Sequence, residues 1–238
     1  MTDREQPGSD LRTSLIEGLR LARAAEREIF AALDPSARDA AGSDRAWSAK
    51  DELAHLSAWR RRQVDRMAAV REGRTEAPSP EVEIDALNAI LHAERADWTW
   101  ERVDADATAT AEALIGEIAA ADDATLADPR VVGTIMGDGP EHDLAHLTTI
   151  AARVGLSERV MALADATQAL IDRGGWPSRA AAFARYNLAC FHALGGRLEL
   201  ARDLLRQALP AEEELRGLAL KDDDLSALRD EIPALGAG

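Results

Sequence analysis

The chain has 238 residues, enough for one large helical unit or two modest ones, each with a buried core. Its 43 acidic residues against 28 basic ones leave a formal charge of −15, which repels phosphate backbones and anionic lipid, so neither nucleic acid nor a membrane surface is an expected partner. The single cysteine, Cys190, excludes an internal disulfide, no apolar run is long enough to span a bilayer, and the polar stretch Met1–Asp10 lacks a signal-peptide core, so the expected location is cytoplasmic.

Alanine and leucine dominate while aromatic residues make up 4%, so strand formers are scarce and the expected fold class is all-α. After a flexible terminus over residues 1–10, apolar residues at Leu11, Leu15, Leu19, Ala22, Ile29 and Leu33 recur at helical steps and mark one buried face. Asp34-Pro35 ends that helix. Ser48 and Asp51 form a capping-box pattern that opens a second helix reaching Gly73, with Leu53, Leu56, Met67 and Val70 as its core stripe and Trp59 beside it. Arg60, Arg61 and Arg62 read as a solvated face of the same helix.

The segment Thr75–Pro80 reads as a loop before a third helical stretch carrying Ile84, Leu87, Leu91 and Trp98. A further helix is expected over Thr108–Ala121, and the apolar run Val131–Met136 reads as loop. Gly139-Pro140 starts the next helix, which runs through Leu144, Leu147 and Ile150 towards Val154, and Gly155 closes a first domain over residues 11–155. Residues 156–238 follow as more helices, separated at Gly174-Gly175 and Gly195-Gly196. Here Ala189, Ala201 and Ala208 have the small-residue spacing that lets two antiparallel helices approach closely, as in a tetratricopeptide repeat. One clear hairpin of this kind is too short for a solenoid, so the segment is expected to dock on the first domain or on a second subunit, as a homodimer or through a protein partner.

Five histidines are present: His55, His92, His142, His146 and His192. His142 and His146 stand one turn apart on one helix, which is a chelating spacing, and His55 lies beside the core stripe of another helix. Asp51, Glu52 and Glu141 are close to them in sequence and are either orienting groups or bases for such a site, or plain capping and solvent-facing acids. Cys190 reads as a buried structural thiol, His192 as a packing residue, and His92 as a histidine without a metal-ligand partner. Trp98 and Trp100 cannot share a helix face, which leaves one for the core and one for a pocket rim.

Two segments carry a family resemblance. The run Trp47-Ser48-Ala49-Lys50-Asp51-Glu52-Leu53-Ala54-His55-Leu56 resembles the second-helix motif of DinB/YfiT-like proteins, and Glu141-His142-Asp143-Leu144-Ala145-His146-Leu147 resembles their fourth-helix motif. Asp85-Ala86-Leu87-Asn88-Ala89 is similar to the ClbS/DfsB-like branch. The resemblance covers Leu11 to Val154 and implies a four-helix bundle, here followed by a short TPR-like hairpin region, in which His55, His142 and His146 bind a divalent metal (Zn, Ni, Fe or Mn). It further implies a metal-dependent, thiol-dependent transferase or hydrolase acting on a small molecule. Thr149 departs from the larger polar residue often found at its position, and no partner for a thiol cofactor is recognisable. The competing expectations are a non-catalytic binding or self-protection protein, and an interaction adaptor working through its TPR-like end.

Overall fold

In the computed structural model, residues 7–40, 42, 47–74 and 83–235 are described. Most of the expected flexible terminus and the whole expected loop Thr75–Pro80 lie outside them. Among the described residues every regular element is helical and there is no strand. None of these helices is long and apolar enough to cross a membrane.

Helix α1 (Pro7–Ala31) begins inside the stretch expected to be flexible, and its face Leu11, Leu15, Leu19, Ala22 and Ile29 is buried as the periodicity requires. A single turn, α2 (Pro35–Arg38), follows the Asp34-Pro35 break. Helix α3 (Ala49–Arg71) starts on a full capping box: the Ser48 Oγ accepts from the Asp51 N–H at 3.2 Å, and the Asp51 carboxylate accepts from the Ser48 N–H at 2.9 Å. Helix α4 (Ile84–Ala93) ends before Trp98. Helix α5 (Trp100–Ala120) begins well before the expected Thr108, because Thr99 caps it by accepting from the Arg102 N–H.

The run Val131–Met136, expected as loop, is instead within a helix. After the short α6 (Asp123–Ala127), helix α7 (Pro129–Gly137) is opened by the Asp128 side chain, which caps Arg130, and by proline in its first turn. Val132, Ile135 and Met136 then fall on one buried face, and packing of that face overrides the poor helix propensity of the β-branched residues. At the turn into α8 (Pro140–Arg153) a Cβ on Gly139 would lie 2.7 Å from the Ile135 carbonyl oxygen and 2.9 Å from Leu19 of α1, so only glycine fits. This close approach seats the start of α8 on α1.

Helices α1, α3, α5 and α8 close a ring in which each packs on two others: α1 on α5 and α8, and α3 on the same two. The chain continues through α9 (Ser157–Asp172), α10 (Ser178–Leu194), α11 (Leu198–Ala208), α12 (Glu213–Ala219), a 3-10 turn (Asp223–Leu228) and α13 (Ile232–Leu235). Ala189, Ala201 and Ala208 are fully buried where α10 meets α11, the close approach their spacing anticipates. Helix α9 lies on α1 and α8, and α10 touches α7, α8 and α9. One hydrophobic cluster runs without interruption from Ile29 and Leu53 through Leu147 and Leu163 to Leu204 and Leu228. The C-terminal helices therefore dock on the preceding ones.

The arginine run also needs correcting. Arg61 and Arg62 are partly exposed, but Arg60 is 1% exposed and lies between Glu26 of α1 and Asp143 of α8, both without solvent contact. Arg23 adds a second guanidinium, donating to Glu26 at 2.8 Å and to Asp104 at 2.5 Å. Burial pushes Glu26 up, but Arg60 and Arg23 outweigh it and hold that carboxyl below its usual range. Burial drives Asp143 well above the usual range, while Arg23 divides its two donors between Glu26 and the Asp104 carboxylate. A buried guanidinium persists only where such partners meet it.

Candidate metal centre

The capping box fixes where α3 begins, and α3 then carries His55 inward on its second turn, 6% exposed. On α8, His142 and His146 project from one face towards it. The three rings meet with centroids 4.6–4.8 Å apart, and one nitrogen from each lies within 4.8 Å of the other two. Residues 87 and 91 positions apart in the sequence are thus brought to one point.

His55 Nε2 and His142 Nε2 are 3.0 Å apart. Two imidazole lone pairs cannot face each other at that distance without a proton or a cation between them. Nitrogens bound to one ion at roughly 2.0–2.1 Å stand about 3.0–3.4 Å apart, so the separation suits joint ligation. His146 donates its Nδ1–H to Glu52 Oε2 at 2.7 Å, which fixes the tautomer and turns Nε2 into the free nitrogen. His142 Nδ1 is buried and has no partner among the described residues.

Both inward histidines are held neutral, as ligands must be. Burial, then the neighbouring His146 and His92, lower His55 to about 3. Burial, then His146, His55 and the Arg60 guanidinium, lower His142 to about 2. The donor set, the neutrality of His55 and His142 and the carboxylate behind one ring all fit a divalent ion of the imidazole-binding kind.

The acids divide. Asp51 serves the cap, with its second oxygen 3.4 Å from His92 Nε2, so the plain reading holds for it. Glu52 is the orienting partner of His146. Glu141 accepts from Asn187 Nδ2 at 2.6 Å, and burial pushes its carboxyl up to about 7.

Aromatic residues that sequence reasoning did not assign to the centre enclose it. Trp47 packs on His55 at 4.6 Å and stacks on His92 at 5.7 Å, almost parallel. Trp59 meets His142 edge-on at 5.9 Å and is itself fixed by donating to Asn88 at 3.1 Å. His92, expected to stand apart, therefore belongs to the surroundings through Trp47. The spacing of neither residue signals this, because the contacts join separate helices.

A second cluster, Cys190, Asp222 and Asp224, also brings three ligand atoms within 4.8 Å. Its Asp222 already accepts from the Tyr186 hydroxyl at 2.6 Å, and burial together with the adjacent acids keeps the Cys190 thiol protonated. Cys190 and His192 are buried within α10, in keeping with packing roles. Trp98 and Trp100 are both half-buried against the core, and Trp100 also lines a surface cleft with Arg38.

No family model matches the chain, and neither do curated proteins or solved structures.

Proposed function

We propose that the chain is a divalent-metal-binding protein of the DinB/YfiT-like kind, with a TPR-like C-terminal hairpin, and that it acts as a metal-dependent transferase or hydrolase on a small molecule. The observation that carries this reading is the convergence of His55, His142 and His146, with His146 oriented by Glu52. A bound divalent ion would supply Lewis acidity, lowering the pKa of a water or stabilising a thiolate. His55, His142 and His146 would hold it, Glu52 would keep His146 in the binding tautomer, and Trp47 and Trp59 would keep bulk water from the rings.

The test is the metal content of untagged protein by elemental analysis after reconstitution with Zn²⁺, Ni²⁺, Fe²⁺ or Mn²⁺. One equivalent is expected in the wild type, and a loss of affinity by orders of magnitude in His55→Ala, His142→Ala or His146→Ala, with His92→Ala near wild type. Retention of metal by His142→Ala at wild-type affinity would refute the assignment.

A further inference from the structure

A cleft of about 340 Å³ opens where the first turns of α8 meet α10 and the 3-10 turn, and His142 forms part of its wall. That volume is at the lower end of the ~300–1,000 Å³ range of small-molecule sites. The cleft is therefore contiguous with the candidate metal centre, yet its other walls come from the C-terminal helices.

Its charge is one-sided. Glu141, Asp222 and Asp224 line it, and among the described residues no lysine or arginine does. Arg229, close to Asp222, is committed elsewhere, donating to Asp223 and to the Asp222 carbonyl oxygen at 3.0 Å each. Asp222 is likewise occupied, by Tyr186 and by the N–H of Asp224. Glu141 differs: Oε2 accepts from Asn187, but Oε1 has no partner among the described residues. An unpaired buried carboxylate oxygen is costly, and a cationic donor is what would satisfy it best. Beside polar groups such as His142 and Tyr186, the wall has an apolar part with Leu144, Leu188 and Phe191.

We propose that this cleft binds a small organic amine, its protonated nitrogen on Glu141 and its apolar body against Leu144, Leu188 and Phe191. An alkylamine is fully protonated at neutral pH, so it carries the donor that Glu141 Oε1 lacks. Asp224 adds long-range attraction. The proposal deepens the reading of the metal centre, because His142 belongs to both, by naming an amine as the substrate class.

The test uses full-length protein treated with a chelator, so that its result does not depend on metal binding. The probes are 2-phenylethylamine, 2-phenylethanol and 3-phenylpropanoate, followed by shifts of the Asn187 side-chain amide and the Leu188 and Phe191 backbone amides in NMR spectra. The amine is expected to shift these signals saturably, with the alcohol at least about tenfold weaker and the carboxylate weaker still. Glu141→Gln keeps the shape and the Asn187 contact and should weaken the amine about tenfold. Asp224→Asn, at an exposed position, should weaken it about twofold. Equal binding of the three probes, no saturable shift with the amine, or undiminished amine binding in a folded Glu141→Gln variant would each overturn the proposal. The metal assignment is judged separately by the stoichiometry measurement.

Discussion

Replacing Arg60 by methionine gives the sharpest test of how the histidines are held. Arg60 is five residues beyond His55 on α3, and Asp143 is next to His142 on α8, so their contact ties together the helices that supply the three rings. Arg60, Glu26 and Asp143 are all at most 1% exposed in their side chains, so the exposed-pair value of under ~1 kcal/mol does not apply. Removing one member of a buried ionic cluster costs about 3–5 kcal/mol, because the carboxylate left behind stays buried with less compensation. Arg23 continues to pair with Glu26, which favours the lower end of that range. At about 2–4 °C per kcal/mol for a chain of this size, the melting temperature should fall by roughly 6–20 °C. Replacing Glu26, Arg60 and Asp143 together by Leu, Met and Leu removes the stranded carboxylate but leaves Arg23 with Asp104 alone, so it should recover part of the loss. The assay is urea and thermal unfolding followed by far-ultraviolet circular dichroism, with Arg61→Met as the surface control. An Arg60→Met variant within ~0.5 kcal/mol of wild type, as a solvated arginine would give, refutes the buried-cluster account.

Asp138 provides a pH test: burial raises its carboxyl to about 6 despite Arg66 at 3.1 Å, so the folded state keeps a proton that the unfolded chain releases first. Its contribution is fully present below pH 3.8 and is lost as pH rises through about 6, so Asp138→Asn should gain on wild type across that window and hold the gain above it. Urea midpoints of the two proteins at pH 4.5 and 7.5 measure this, and a pH-independent difference contradicts it. Cys190, buried and kept protonated, should react with a disulfide reagent only on unfolding, and Cys190→Ala should leave metal stoichiometry unchanged; rapid native-state labelling would show the thiol to be accessible. A fragment of residues 157–238 loses the faces of α1 and α8 on which α9 packs, so it should not unfold cooperatively as a monomer. Sedimentation and calorimetry of the fragment decide that.

Local signals in the sequence locate what local physics determines. The Ser48–Asp51 cap, the Gly139-Pro140 start and the chelating spacing of His142 and His146 all depend on residues within a turn or two of each other, and the structure has each one as expected. The inward position of His55 follows from its place beside the apolar stripe of α3, whereas its pairing with the other two is implied by the family resemblance. Three features could not be read this way, because their cause is tertiary. Val131–Met136 is helical because its apolar face is buried among Leu15 and Leu19 of α1, Leu114 and Ile118 of α5 and Ala180 of α10. Arg60 is buried because α1 and α8 each place an acid at the same depth. His92 and Trp47 stack only because α4 folds back along α3. Nothing in the spacing of those residues records such meetings.

The measurement that bears most directly on the metal centre is X-ray absorption at the metal edge of protein carrying one equivalent of Zn²⁺. The account predicts nitrogen or oxygen scatterers at about 2.0–2.1 Å, with multiple scattering from imidazole rings and no sulfur shell. A sulfur shell near 2.3 Å would place the ion at Cys190, Asp222 and Asp224 instead, and a spectrum without imidazole scattering would contradict the assignment to His55, His142 and His146.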